Sequence, residues 1–204
     1  IERVWPRRVN AFDYVVAHGK ALAANGRAFD SCQNETIINN QVALANYPLV
    51  IWACGNESTA DKTFNSTEQA RLTAYLNNGG ALFTSGSDIA YDLDRPSGPT
   101  PADRNFIRTQ LRAMFANDNT GSYTATAVTG TLFAGRASAG FDNGSAGIYW
   151  VRTPDGLTPY GAGAKVALNY SGGSGGAAAI QYDGSAGGGR VVFPHTNPAG
   201  DVVN

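Results

Sequence analysis

The first half of the chain shows two hydrophobic patterns, apolar residues at helical spacing and short unbroken apolar runs. Residues 10–24 carry apolar side chains three and four positions apart and end at Asn25-Gly26, which predicts a helix with its C-cap. Residues 34–38 predict one or two helical turns. Residues 49–54 form an unbroken apolar run closed by Gly55, which is typical of a strand buried on both faces in a parallel sheet.

The same alternation occurs a second time further along the chain. Ser66 is the expected N-cap of a long helix, with Gln69 completing a capping box, and the helix is predicted to stop at the Asn-Asn-Gly-Gly of residues 77–80. Residues 81–84 predict a second buried strand, which leads into residues 85–88 and another helix start. A third helix is predicted over residues 102–115, where four large apolar side chains share one face.

The C-terminal part of the chain has a strand pattern instead. Short apolar runs separated by Gly-, Ser- and Asp-rich turns predict strands at residues 123–128, 131–134, 148–151, 166–170, 177–182 and 190–194. Helices that alternate with strands, followed by a β-rich end, favour a single α/β domain over residues 1–204. We expect a three-layer sandwich with a parallel core and antiparallel additions at the C-terminal end.

Composition narrows the classes of function. The 15 basic and 16 acidic residues give a net charge of −1, which excludes a broad basic face for nucleic acid. No apolar run approaches the ~18 residues of a membrane span, so membrane insertion is not expected. Charged residues are only 15% of the chain and 25 residues are Gly, a neutral polar balance that favours a secreted or cell-surface protein. The chain begins with Ile1 rather than Met, which indicates a processed product or an excised piece.

Cofactor and metal motifs are absent from the sequence. The glycine-rich segments 161–163 and 187–189 are not followed by a helix, so neither predicts a phosphate loop, and we expect no cofactor. Cys32 and Cys54 have no second Cys or His at ligand spacing, so they do not predict a metal site. The two cysteines are compatible with a disulfide and equally with two buried thiols.

The predicted parallel strands indicate where a site would lie. Ligands of such sheets sit beyond the carboxyl ends of the strands, which here are followed by residues 55–58 and 85–88. If the last strand is parallel to these two, His195 lies at the same edge.

Ser87 and His195 are candidates for a nucleophile and its base, with Asp88 or Asp92 orienting the imidazole. A strand-to-helix turn at Ser87 would also direct backbone N–H groups at an oxyanion. The alternative is that Ser87 caps the following helix and His195 is an ordinary surface residue.

Acidic residues near the strand ends are a second candidate. Glu57, Asp88, Asp92 and Asp94 suit acid/base chemistry on sugars or a Ca²⁺ site, or else they satisfy backbone N–H groups of neighbouring loops. We predict a binding surface here and no dedicated metal site. Its members are Glu57, Ser58, Ser85, Asp92 and Asp94.

Several segments, in this order, resemble one family of exported bacterial proteins. The segments are residues 34–35, 52–59, 63–64, 68–69, 79–83, 85–94, 141–142 and 193–194, of which 85–94, Ser-Gly-Ser-Asp-Ile-Ala-Tyr-Asp-Leu-Asp, is the most specific. They are similar to a glutamine-amidotransferase-like domain of large proteins often labelled xanthan lyase or N-acetylmuramoyl-alanine amidase. The resemblance covers roughly residues 10–194 and implies a flavodoxin-like fold.

The resemblance does not imply the amidotransferase reaction. In true glutamine amidotransferases a Cys occupies the strand-to-helix turn, where this chain has Ser87, or Gly86 if the register shifts by one. Cys54 lies one strand earlier. His195 is displaced by one position from the His of true amidotransferases, and Asn197 stands where their Glu would follow. We therefore expect no glutaminase activity.

These observations lead to two hypotheses for function. The first is an accessory or binding domain of a larger exported, cell-envelope or polysaccharide-acting bacterial protein, whose ligand is a polysaccharide or a peptidoglycan-type polymer. The alternative is a hydrolase of amide or ester bonds that uses Ser87 and His195.

Overall fold

The computed structural model describes residues 14–55, 57, 59–141, 151–185 and 188–194. The first described elements are α1 (Tyr14–Ala24), a short α2 (Asn34–Ile38) and a single 3-10 turn (Leu44–Asn46). No helix among the described residues is long and apolar enough to cross a membrane.

Two strand–helix units follow. The elements are β1 (Leu49–Gly55), α3 (Ser66–Asn77), β2 (Ala81–Gly86), α4 (Ile89–Asp94) and α5 (Pro101–Thr109). The N-cap of α3 is Asn65, one residue before the predicted Ser66. Glu68 completes the capping box in place of Gln69. Thr100 and Asp103 form a second capping box at the start of α5.

The remaining elements are strands. They are β3 (Ala113–Asn117), β4 (Thr124–Ala127), β5 (Ala139–Gly140), β6 (Gly156–Pro159), β7 (Lys165–Tyr170), β8 (Ala177–Tyr182) and β9 (Arg190–Pro194). The sequence predictions for β7, β8 and β9 are confirmed to within one residue. The predicted strand at 131–134 is wrong, because this segment forms turns, and most of the predicted strand at 148–151 lies outside the described residues.

All nine described strands belong to one mixed sheet that curls into a half-barrel. Its main order is β1-β2-β9-β8-β7-β4-β5, with β3 joined through β6 to β8. Among the described pairings, β1–β2 and β2–β9 are parallel and the other six are antiparallel. The prediction of a flavodoxin-like, three-layer parallel sandwich is therefore wrong. The antiparallel strands form most of the sheet and are not additions to a parallel core.

One face of the parallel part carries the main core. Val50, Trp52 and Cys54 of β1 and Leu82 of β2 point to the same face, against α3, α4 and α5. The core cluster continues into the antiparallel part through Leu157, Ala177 and Ile180. On the opposite face, His18 of α1 packs edge-on against Phe83, with ring centroids 6.2 Å apart.

The third predicted helix, over 102–115, is partly wrong. The helix α5 ends at Thr109, and residues 113–117 form β3, which pairs with β6. Between them Arg112 has φ of 60°, a left-handed conformation that is incompatible with a helix continuing to residue 115.

Candidate functional site

A tight strand-to-helix turn lies at the carboxyl end of β2. The Ser87 N–H donates to the Gly55 carbonyl at 2.7 Å, which joins the ends of the two parallel strands. A Cβ atom at Gly86 would lie 2.7 Å from the Cβ of Cys54, so this close approach requires glycine. Asp88 follows in the left-handed conformation, with φ of 60° and ψ of 10°, and α4 starts at the next residue.

Ser87 is placed at this turn as the sequence predicted, but it is only 3% exposed. Burial raises the pKa of Asp88, and the hydrogen bond that the Ser87 hydroxyl makes to its carboxylate offsets part of that rise. His195, its proposed partner, lies outside the described residues.

Asp88 belongs to a cluster of three carboxylates. One carboxylate oxygen from each of Asp88, Asp118 and Asp155 lies within 4.8 Å of the others. The Thr153 hydroxyl donates to Asp88 Oδ1 at 2.6 Å, and the Tyr91 N–H donates to Asp155 Oδ2 at 2.8 Å. We name Asp88, Asp118 and Asp155 the elbow cluster.

Burial raises the pKa of two members of the elbow cluster, Asp88 and Asp155. Desolvation raises the pKa of Asp88, and the Thr153 hydrogen bond opposes this. Burial raises the pKa of Asp155 well above its usual range, with a smaller opposing effect from the Tyr91 N–H. Three carboxylates at this spacing suit a shared proton, hydrogen bonds from ligand hydroxyls or an oxygen-coordinated cation. The sequence indicated Asp88 but gave no signal for Asp118 or Asp155, because only the fold brings their loops together.

Asp92 and Asp94 are placed as parts of the scaffold. Asp92 Oδ2 accepts from both the N–H and the hydroxyl of Thr63 at 3.0 Å, which ties α4 to the loop after β1. Asp94 accepts from Arg108 Nε at 2.9 Å and from the Phe115 N–H at 3.0 Å, so it holds α5 and β3 against α4. Both carboxylates are at most 5% exposed. They satisfy loop and strand donors, the structural alternative weighed from the sequence.

Glu57 occupies a different acidic environment on the loop after β1. Its pKa is raised to about 8, first by burial and then by the negative charges of Glu68, Asp61, Glu35 and Asp92. Glu68 is held by Asn34 Nδ2 and by the Asn65 N–H, both at 2.7 Å, so it is fixed as part of the α3 cap. Glu57 is therefore largely protonated near neutral pH and able to donate a hydrogen bond.

The remaining candidate residues are two serines and the two cysteines. Ser85 is fully buried on the sheet face that also carries Phe83, and its hydroxyl has no hydrogen-bond partner among the described residues. Ser58 lies outside the described residues. The cysteines are both free, Cys32 exposed and Cys54 buried, so they form no disulfide. The Cys54 thiol lies 3.6 Å from the Thr63 carbonyl, and burial raises its pKa well above the usual range.

Comparison with family models and with curated proteins finds no match to this sequence. Solved structures do match. An exo-β-1,4-mannosidase from Opitutaceae bacterium strain TAV5 is 12% identical with a TM-score of 0.58, covering 92% of this chain and 27% of the mannosidase. A β-galactosidase from Bacillus circulans sp. alkalophilus is 14% identical with a TM-score of 0.62, covering 93% of this chain and 25% of the galactosidase.

A ThuA-like protein from Bacteroides uniformis ATCC 8492 is also similar. It is 13% identical with a TM-score of 0.56, covering 92% of this chain and 74% of that protein. At such identities the likeness concerns the fold alone, and this chain spans about a quarter of the length of the two glycosidases.

These neighbours correct the family resemblance inferred from the sequence. They are parts of glycosidases and ThuA-like proteins, and they give no support to a glutamine-amidotransferase-like domain. The mixed half-barrel sheet excludes the flavodoxin-like architecture that the resemblance implied. The described chain shares its fold, and no more than its fold, with parts of these solved proteins.

Proposed function

We propose that this chain is a non-catalytic binding domain of a larger exported bacterial protein that acts on polysaccharide. The observation that carries the proposal is the state of Ser87, which is 3% exposed and hydrogen bonded to Asp88. A nucleophile must reach its substrate and a base at hydrogen-bond distance. At this turn Asp118 is exposed and Asp88 is partly exposed, whereas the Ser87 side chain is buried.

The elbow cluster is the proposed binding surface. Asp118 is exposed and Asp88 half-buried, at the carboxyl ends of the parallel strands where sheet ligands usually bind. Carboxylate oxygens accept hydrogen bonds from sugar hydroxyls, and charge-assisted bonds of this kind are the stronger ones. The fold shared with parts of two glycosidases supports a carbohydrate partner. The low charge of the chain supports an exported setting.

The test is binding of the 204-residue chain to immobilised neutral and acidic polysaccharides and to peptidoglycan. We expect retention on at least one polymer without release of reducing ends. Asp118→Asn should weaken retention several-fold, because it replaces one acceptor oxygen by a donor NH₂ group and removes the negative charge. Asp183→Asn is the matched control, since Asp183 is exposed and lies 4.0 Å from Lys165, outside the elbow. Failure of every polymer to retain the protein would rule the proposal out.

The alternative function, a hydrolase, is supported only by the strand–turn–helix geometry at Ser87. A fluorophosphonate probe distinguishes the two functions, because it labels only a serine that a base activates. We expect no labelling of Ser87 in the folded protein. Labelling that Ser87→Ala abolishes would favour the hydrolase instead.

A further inference from the structure

The helix α1 is attached to the rest of the protein by a narrow face. Among residues 15–24 six are exposed and only Gly19 is buried. A Cβ atom at Gly19 would lie 2.5 Å from Cζ of Phe29, so the chain after α1 packs closely against the helix at this position. An element with so little buried surface opens at a lower free energy than the core of a protein. Detachment of α1 therefore does not require global unfolding.

His18 lies on this narrow face and contacts the sheet. Its ring packs edge-on against Phe83 of β2, and its Nε2 atom is buried with no hydrogen-bond partner within the described part of the chain. A neutral imidazole can carry its proton on Nδ1 and leave Nε2 as a bare acceptor. Protonation converts Nε2 into a buried N–H donor on a charged ring, which is far more costly to leave without a partner.

No described group packed against His18 supplies a negative charge. The strands β1 and β2 contain no Asp, Glu, Lys, Arg or His. The other titratable groups on α1, on the segment that carries Phe29 and on β9 are all exposed; they are Lys20, Arg27, Asp30, Cys32 and Arg190. The carboxylate among them, Asp30, accepts from the Tyr47 hydroxyl at 2.9 Å. Burial therefore lowers the pKa of His18 without an opposing attraction from these groups.

The sheet face that α1 packs against is uncharged. Ile51 and Ala53 of β1 are the register partners of Phe83 and Ser85 of β2 and share that face. Release of α1 exposes the edge of the Phe83 ring and lets water solvate His18. Water then supplies the hydrogen bonds that an imidazolium lacks in the docked helix.

We propose that His18 is an acid-sensitive switch for α1: protonation of its imidazole releases the helix from the sheet and uncovers the face around Phe83. Because the pKa of His18 in the fold lies below its ordinary value of 6.5, the released helix binds a proton that the docked helix excludes. Docking therefore weakens as pH falls below 6.5. The switch does not rest on polysaccharide binding at the elbow cluster.

The experiment is hydrogen–deuterium exchange of the whole chain, read by mass spectrometry on peptides from α1 and α3 at about pH 7.5 and about pH 5. The parent is compared at each pH with His18→Phe, which keeps a ring against Phe83 and cannot bind a proton. The intrinsic pH dependence of exchange therefore cancels. At the lower pH we expect α1 of the parent to exchange at least about tenfold faster than α1 of the variant, the factor that one unit of pKa lowering gives. At the higher pH the two should agree, and α3 should agree at both.

The matched control is His195→Gln, because His195 is the second of the chain's two histidines. This variant should show the same pH response of α1 as the parent. His18→Gln repeats the comparison with a polar side chain, in case the phenylalanine ring alters the packing of α1. A nuclear magnetic resonance titration of the His18 ring in the unaltered protein should give a midpoint below 6.5 that coincides with the loss of α1 protection.

Three results would overturn the proposal. One is equal exchange of α1 in the parent and in both His18 variants at about pH 5. The second is a His18 midpoint at or above 6.5, which would show that the docked helix accommodates the imidazolium. The third is an α1 that is already unprotected at about pH 7.5, because an undocked helix cannot be released. Glu57 does not alter the comparison, since its raised pKa of about 8 acts in the opposite direction and is common to all the proteins compared.

Discussion

At the scale of single residues, the carboxylates divide into those with donors and those without. Burial alone would raise the pKa of Asp103, but hydrogen bonds from Lys62, Gln69 and Thr100 lower it to about 2. Glu57 has no such donors among the described residues, and its pKa rises to about 8. The environment of a carboxylate therefore decides whether it stabilises the fold as an anion or as a neutral acid.

Glu57 makes stability depend on pH in a defined direction. Its pKa of about 8 in the fold exceeds its ordinary value of 4.5, so the folded protein holds a proton that the unfolded chain releases. Stability should therefore fall as pH rises from the ordinary value to about 8. Glu57→Gln should match the parent at about pH 5 and melt at a higher temperature than the parent at about pH 9.

Thermal unfolding followed by circular dichroism across this range tests the prediction. Asp183→Asn is the control, because the pKa of Asp183 is lowered by hydrogen bonds from Ser185 and the group is ionised throughout the range. Parallel pH profiles for the parent and Glu57→Gln would show that Glu57 is ionised in the fold.

At the scale of elements, the N-terminus of α3 links three parts of the chain. The Asn65 side chain accepts from the N–H groups of Thr67 and Glu68 at 2.9 and 3.1 Å. The Glu68 carboxylate accepts from the Asn65 N–H and also from the side-chain amide of Asn34 in α2. The cap therefore ties α2 to the end of the loop that precedes α3, in addition to starting the helix.

Removal of this cap should destabilise the protein by about 1–2 kcal/mol. Asn65→Ala leaves two helix N–H groups without their acceptor, whereas Asn65→Asp keeps an acceptor and should retain most of the stability. Asn78→Ala at the other end of α3 removes only an exposed bond to the Ala74 carbonyl and should change stability little. Urea unfolding measures the free energy of unfolding of all three variants. Equal losses for Asn65→Ala and Asn78→Ala would contradict a special role for the cap.

The strand β3 shows how tertiary contacts override a local pattern. Residues 102–115 have the apolar spacing of one helix, yet β3 forms because the Phe115 N–H reaches Asp94 and because β6 pairs alongside. Neither contact is local, so the pattern could not reveal it.

At the scale of the molecule, one core cluster joins the parallel and antiparallel parts of the sheet. Leu72 of α3, Ile107 of α5 and Ile180 of β8 are all fully buried members of it. A shared core predicts that the two parts unfold together rather than as separate units.

Ile180→Ala tests this cooperativity. The cavity it leaves should lower the free energy of unfolding by about 2–5 kcal/mol. Leu132→Ala, at a side chain that is 64% exposed, should have almost no effect. We expect a single transition in urea, with coincident far-ultraviolet dichroism and tryptophan fluorescence. Separate transitions would show that the antiparallel strands form an independent unit.

The sequence by itself determined the local elements and the position of one turn. Unbroken apolar runs at β1 and β2 and the alternation of helix and strand before residue 95 follow from burial and backbone geometry, which act over a few residues. The tight turn at 86–88 was predictable for the same reason. The tertiary structure alone decided that the sheet is mixed, because strand direction depends on pairings between residues far apart in the chain. It also decided that Asp118 and Asp155 join Asp88 while Asp92 and Asp94 become scaffold, since a carboxylate's role depends on which donors the fold brings to it.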